Sequence, residues 1–339
     1  MTSEKRLLKV IGIISCVLAL GLSMSADASW FKFGGDKGAK VEILQTTNIS
    51  SKVTAIGGLP IVIIGGISSD GSVVVGHFRS KQEPNDWQIF RYSQSSGIEN
   101  LGPMGGKGFN HLCISADGSV IWGTFYIENE GSHLFRYTQS KGLQDLGTMG
   151  KKSIDVNGTS ADGSVVVGSF LYLMTPENSP RYHAFRYSQL QGFEDLGTMG
   201  AESAFAHGVS ADGSLIVGNF HVANSSDHAF QFSRSDGVQD IGAVGGVAAF
   251  ATGISNDSSV VVGMYFGEFS FFNFTYYNHV FIYTKIGGVQ KLGAMGGRSV
   301  GAPIISADGT KIIGSYTDSN RESYIYTAKI VLPTTQEKQ

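Results

Sequence analysis

Ser160-Ala161-Asp162-Gly163-Ser164-Val165-Val166-Val167-Gly168-Ser169-Phe170, followed by His183-Ala184-Phe185-Arg186-Tyr187, is the stretch whose reading decides the fold. Asp-Gly between an apolar approach and a β-branched run is a strong short hairpin signal, on the expectation that both central turn residues take positive φ. Three consecutive valines form a short unbroken apolar run, which suits a strand covered on both faces. The Phe-x-Tyr segment alternates with polar residues, and a glycine turn carries it into Gly192-Phe193-Glu194-Asp195-Leu196-Gly197-Thr198-Met199-Gly200. That makes four antiparallel strands in one unit, with no helical period.

The unit recurs. Its Ser-x-Asp core stands at Asp70, Asp117, Asp162, Asp212, Asp257 and Asp308, at spacings of 47, 45, 50, 45 and 51 residues. Six residues after each Asp is a glycine, and two further on is an aromatic residue. A four-stranded unit of this length falls between the WD40 and kelch periods, so the fold class expected is all-β: a six-bladed β-propeller of four-stranded antiparallel blades. A parallel β-helix is the rival, but its rungs are shorter and need no tight hairpin in every unit. Val53-Thr54-Ala55-Ile56-Gly57-Gly58 looks like an unattached Leu-Gly-x-Met-Gly-Gly segment. This N-terminal strand is expected to close the ring, with Ile330 to Leu332 as the competing candidate.

Composition agrees with such a scaffold. Glycine numbers 46 in 339 residues, about twice the usual frequency, while apolar residues reach 42% and only 16% are charged. Disorder and a collagen-like chain are both excluded by that combination. A net charge of −3 offers no basic field for nucleic acid. Lys5, Arg6 and Lys9 precede an apolar run from Val10 to Leu22 and an Ala26-Asp27-Ala28 site, the pattern of a secretory signal peptide over residues 1–28. Residues 29–52 form a lead-in, residues 53–332 the single propeller domain, and residues 333–339 a polar tail. The mature chain then keeps one cysteine, Cys113, and no membrane-spanning segment. Leu112 and Ile114 beside it favour a buried small hydrophobe over a reactive thiol.

The motif set carries a resemblance. With His183-Ala184-Phe185 and His228-Ala229-Phe230, and relaxed versions at His133 and His279, the chain resembles the HAF-repeat proteins, extracellular repeat proteins of bacteria. The resemblance covers residues 53 to 327. It implies surface or secreted interaction, because repeats of that family often form the passenger of an autotransporter. After the sixth unit this sequence has no room for even an eight-stranded barrel, which departs from that pattern.

Residues present in every unit are expected to build the fold. Six Ser-x-Asp pairs spread over six units cannot converge on one substrate, and signature histidines on different blades are too far apart to share a zinc ion. The Asp-Gly turns offer few oxygen ligands for calcium. In the outer two units the His position reads Gln88 and Glu322, as suits a strand-start hydrogen bond. No metal and no cofactor is expected.

Length varies in one connection only, between the second and third strands, where the glycine-to-His spacing runs 12, 10, 15, 10, 16 and 8. Variable loops on a rigid frame are where binding usually resides. The fifth connection is dense in aromatic residues, Phe266, Phe269, Phe271, Phe272, Phe274, Tyr276 and Tyr277, and reads as a contact site or as a long hairpin packed on its own blade. Tyr172, Met174 and Tyr182 of the third connection and Trp87 of the first follow. His111 and His207, expected just ahead of first strands near the channel mouth, complete the candidate set. Acidic residues outnumber basic ones on these connections, which disfavours phosphate-rich ligands. The expectation is a monomeric, exported, non-enzymatic propeller at the cell surface, outside the cell or in the periplasm, recognising a protein or glycan. The alternatives are a hydrolase or lyase acting on sugars, and a structural envelope component.

Overall fold

The computed structural model describes residues 55–82, 87–103, 109–174, 180–223, 226–270, 275–295, 299–306, 309–317 and 323–330. Its elements are all strands, arranged in six antiparallel sheets that follow chain order. The first sheet is β1 (Gly58–Ile67), β2 (Val73–Ser80), β3 (Trp87–Ser93) and β4 (Gly97–Gly102). The second is β5 (Phe109–Ile114), β6 (Val120–Ile127), β7 (Gly131–Thr138) and β8 (Gly142–Gly147). The third is β9 (Ile154–Thr159), β10 (Val165–Met174), β11 (Pro180–Ser188) and β12 (Gly192–Gly197). The fourth is β13 (Ser203–Val209), β14 (Leu215–His221), β15 (Asp227–Ser233) and β16 (Gly237–Gly242). The fifth is β17 (Ala248–Ile254), β18 (Val261–Ser270), β19 (Thr275–Thr284) and β20 (Gly288–Gly293). In the sixth, the first strand is broken into β21 (Ser299–Val300) and β22 (Ile304–Ile305), both paired with β23 (Lys311–Thr317), which also pairs with β24 (Ser323–Lys329). Two compact units divide at residue 197, three sheets in each.

The β-branched second strands are covered on both faces, as the sequence implies. In the first sheet Val73 and Val75 pack with Leu112, Ile121 and Phe135 of the second. Val74 points the other way, toward Phe78, Phe90 and Ile56. Trp122 and Leu134 of the second sheet meet Ile154, Val166 and Phe185 of the third. The repeat glycine inside each second strand has a geometric cause. A Cβ on Gly123 would stand 2.5 Å from the Phe135 ring, and one on Gly76 would stand 2.7 Å from the Phe90 ring. The aromatic of the third strand lies across the glycine of the second, and that contact sets the register.

The backbone pairing of the same two positions corrects the reading of the sixth unit. Gly314 pairs with Tyr326, as Gly168 pairs with Phe185. Tyr326 therefore takes the place of the repeat Phe and Tyr324 that of the signature His, two residues from the expected Glu322, which lies outside the described residues. The glycine-to-His spacing of that unit is 10 rather than 8. A two-residue slip leaves every side chain on its own face, so alternation alone cannot detect it.

The Asp-Gly turn also differs from expectation. Gly71 N–H donates to Ser68 O at 2.9 Å, and of the turn residues only Gly71 has positive φ, at 74°. This is a type I turn followed by a left-handed residue, not a turn with two left-handed residues. The doubly left-handed turn lies in the crossovers. Met149 (φ 52°) and Gly150 (φ 72°) form one closed by Lys151 N–H donating to Thr148 O at 2.8 Å. Met199 and Val244 repeat it. The strain of a non-glycine residue there is offset by burial, since Met149 packs on the core between the second and third sheets and Val244 is 6% exposed.

Of the expected closing segment, the described part from Ala55 onward turns into the first sheet, where Gly58 pairs with Ser80 and Ile56 packs beside Val74 and Phe78. It does not add to the sixth sheet. In the competing segment, Ile330 extends β24, its N–H donating to Thr310 O at 2.7 Å. Val331 and Leu332 lie outside the described residues.

Candidate binding face

Two kinds of connection share one end of the sheets: the hairpins between second and third strands, and the crossovers from each fourth strand to the next first strand. Backbone hydrogen bonds tie them together. Leu171 N–H donates to Ser153 O, Ser132 N–H to Lys152 O, and Val247 N–H to Phe266 O. The third and fifth connections are extended hairpins more than loops, because β10, β18 and β19 run for 10 residues each.

The signature histidines sit at the base of these hairpins and face the fourth strand. His183 Nδ1 lies 2.8 and 3.0 Å from the two carboxylate oxygens of Asp195, whose Oδ1 also accepts from Gly197 N–H at 2.8 Å. His133 with Asp145 and His228 with Asp240 repeat the arrangement. In the first unit both partners change together: Asn100 donates to Gln88 Oε1 at 2.5 Å. In the fifth the Asp position holds Lys291, and His279 turns to the Tyr265 hydroxyl at 3.2 Å. The His is thus a clamp between third and fourth strands that also orders the bulge ahead of the crossover. Among the described residues no group of three or more His, Cys, Asp or Glu side chains is placed to hold a metal ion.

Around this recurring clamp the third unit adds a feature of its own. The β10–β11 register shifts between Leu171 and Leu173, so Tyr172 is a bulge residue. Its ring stacks on His183, centroids 4.0 Å apart and planes at 15°, while the residue remains 60% exposed. One face of the phenol ring is therefore covered and held, and among the described residues the other is open. Phe170 closes the assembly from beneath, edge-on to His183 at 5.4 Å. Tyr182 is half-buried opposite Leu171, and Met174 ends β10 opposite Pro180.

The other candidates are spread apart. Trp87 opens β3, meets His77 edge-on at 5.1 Å and carries the Arg79 guanidinium 4.9 Å from its ring centre. His111 and His207 lie inside β5 and β13, not ahead of them. His111 Nδ1 stands 3.9 Å from Asp155 Oδ1 on the adjoining first strand, and the Asp155 carboxylate raises the imidazole pKa against the opposing effect of burial. His77 is the reverse case: burial, with a smaller contribution from His111, lowers its pKa to about 4, so it is neutral at physiological pH. His207 Nε2 lies 2.7 Å from Asn219 Oδ1. Phe266 packs on Phe250 edge-on at 5.3 Å. Phe269, Tyr276 and Tyr277 belong to the extended hairpin by backbone, with Phe269 opposite Tyr276, while Phe271, Phe272 and Phe274 lie outside the described residues. Cys113 is packed beside Trp122, and burial pushes its thiol up to about 12, which leaves no thiolate for chemistry at neutral pH. Sequence reasoning missed the His–Asp clamp, although the constant 12-residue separation of His133/Asp145, His183/Asp195 and His228/Asp240 carries its signal.

No family model and no curated protein matches the chain. Solved structures do. The β-propeller domain of the Trilobed protease from Pyrococcus furiosus, described as having an open velcro topology, aligns at TM-score 0.57 and 10% identity over 78% of this chain and 81% of that one. Pyrococcus horikoshii acylaminoacyl peptidase aligns at TM-score 0.55 and 9% identity over 80% of this chain and 46% of that one. TolB from Acinetobacter baumannii aligns at 0.47 and 15% identity over 68% of this chain and 53% of that one. This chain thus spans about half the length of the latter two. The first two likenesses show the fold: the chain is a β-propeller. Among the described residues no helix is long and apolar enough to cross a membrane.

Proposed function

We propose that this chain is an exported, non-enzymatic propeller of six blades that binds a protein or glycan through the end bearing its variable hairpins. The observation that carries the reading is Tyr172, an aromatic ring re-aimed by a bulge, backed by a clamped His183 and open on its other face. An immobilised aromatic with one free face binds at low entropic cost, because its rotamer is already fixed. The aromatic run of the fifth hairpin provides a second contact area on the same reading. A binding role over a catalytic one is supported by the use made of the polar groups: each His–Asp pair is spent on holding two strands and a bulge. Export rests on the pattern of residues 1–28, and the HAF resemblance favours action at the cell surface or beyond it, as a monomer.

The test is a Tyr172→Ser variant beside the unaltered protein, both fluorescently labelled and applied to intact cells of the source organism and to a glycan array. The expected outcome is at least a tenfold loss of binding with an unchanged thermal midpoint. Equal binding by both proteins would show that the third hairpin is not the contact site.

A further inference from the structure

One position on the third strand and its partner on the fourth change together from sheet to sheet. In the first sheet Arg91 pairs with Glu99, Nη1 standing 3.7 Å from Oε1, and in the third Arg186 pairs with Glu194, Nη1 standing 3.8 Å from Oε2. In the fourth both are glutamines, Gln231 Nε2 donating to Gln239 Oε1 at 2.7 Å. In the fifth they are Ile282 and Gln290, so neither is charged. The second sheet breaks the rule. It keeps an arginine, Arg136, opposite Gln144, and so has the guanidinium without the carboxylate.

The polar atoms around Arg136 register the loss. Arg136 Nε, Gln144 Oε1 and Thr138 Oγ1 are buried, and none of the three has a hydrogen-bond partner. Arg136 and Thr138 lie two apart on β7, and Gln144 lies opposite Arg136 on β8, so the three share one face of the sheet. That face meets the third sheet, since Leu134 in the same alternation packs with Ile154 and Phe185. The guanidinium carbon stands 5.6 Å from the Trp122 ring centre, and Tyr187 of the third sheet meets that ring edge-on at 5.6 Å. Attraction to the indole face offsets part of the desolvation, but it leaves the buried Nε–H without an acceptor. Burial lowers the Arg136 pKa, and the guanidinium stays protonated at neutral pH.

We propose that the seam at Arg136 is a carboxylate site, in which the carboxylate of an external ligand takes the place that Glu99 and Glu194 fill in their own sheets. Arg136 Nε–H and the Thr138 hydroxyl donate to it. Rotation of the Gln144 amide turns its NH2 group inward as a third donor. A carboxylate, with two oxygens and about four lone-pair sites, matches such a set, and its bonds to a guanidinium are charge-assisted. All three residues keep part of their surface in solvent, which gives a ligand a way in. The site does not depend on binding at Tyr172.

The test uses the full chain labelled with nitrogen-15 at arginine. It is titrated with sodium acetate against sodium chloride at equal ionic strength, and separately with a capped Gly-Glu-Gly peptide. The Arg136 Nε–H resonance, assigned by its loss in Arg136→Gln, is expected to move saturably. Those of Arg91 and Arg186, whose carboxylates are in place, are expected to move far less. Saturation by acetate assigns the site to small organic acids, and saturation by the peptide alone assigns it to a glutamate side chain, both in support. Gln144→Glu rebuilds the pair of the first and third sheets, which keeps the fold, and is expected to weaken binding by about tenfold or more. An Arg136 resonance unmoved by both probes, or equal binding by Gln144→Glu, overturns the site.

Discussion

The two ends of the sheets obey different rules. At the end of the Asp-Gly hairpins the turns are held by their own side chains and, across the first three sheets, by the neighbouring turn. Ser68 Oγ accepts from Val73 N–H at 2.9 Å and donates to Asp70 Oδ1 at 2.7 Å, and Asp70 accepts from Ser72 N–H at 2.9 Å. The hairpin tips are then linked, Ser69 N–H donating to Ala116 O and Ala116 N–H to Ala161 O. Gly118 presses on Val73 so closely that an added Cβ would stand 2.6 Å from its Cγ2. At the other end, among the described residues, the hairpins are bonded to the crossovers at their bases, and the strands run on to different lengths. Double constraint leaves one end no freedom to vary, whereas single constraint lets the other lengthen, bulge and acquire exposed rings such as Tyr172.

The contrast can be broken most forcefully at the repeat glycine. A Cβ on Gly168 would overlap the Asp155 carbonyl oxygen and stand 2.8 Å from the Phe185 ring. Gly168→Ala is expected to cost about 3 kcal/mol, read as a lowered denaturant midpoint, and wild-type stability would mean that close approach does not set the sheet register. Next in size is Ser115→Ala, which strips Val120 N–H of its acceptor and Asp117 of a donor. Its cost is expected at about 1–3 kcal/mol in the same assay. A smaller effect per group concerns acid. Hydrogen bonds from the repeat serines hold the carboxyls of Asp70, Asp117, Asp212 and Asp257 below the ordinary range, as does chiefly the Ser164 N–H for Asp162. A carboxyl whose pKa is lower in the folded chain adds stability above its unfolded value, about 4, and that stability disappears as pH falls through the folded value. Unfolding free energy should therefore hold above about pH 5 and decline toward pH 3, and decline less when Asp117→Asn and Asp162→Asn are combined.

Ser258 sharpens the comparison in the opposite direction. It occupies the left-handed position of the fifth unit's turn, Asp257-Ser258, at φ 61°, where the other described turns have glycine. Ser258→Gly is expected to raise stability by about 0.5–1 kcal/mol, and a loss would show that the Ser258 side chain makes a contact worth more than its strain. Smallest is the change at the variable end: Tyr172→Ser should shift stability by no more than about 0.5 kcal/mol, as for an exposed position outside the core.

Much of the fold is legible in residue spacing. Strand count, the two-faced burial of Val73-Val74-Val75 and the location of variable length all follow from periodicity. Three things do not. The left-handed Met149 and Met199 look ordinary in sequence, because the packing that offsets the strain, as of Met149 on the core beside Trp122 and Val166, is made by residues distant in the chain. The sixth unit's register is hidden, because Tyr324 and Tyr326 suit the aromatic position equally in sequence and only the strand pairing sets Tyr326 opposite Gly314. The extension of β10, and the choice of the long-hairpin alternative for the fifth connection, depend on cross-strand pairing between Phe170 and His183 or Phe269 and Tyr276. The candidate site was legible as a region but not as a geometry.

What the sequence determined by itself is the repeating frame, because turn chemistry and strand alternation act over a few residues and leave a mark in every unit. What only the tertiary structure decided is which side chains meet across strands. His183 faces Asp195 and Tyr172 stacks on His183 because of one bulge and one register, and contacts between distant residues are set by pairing geometry that local spacing does not encode.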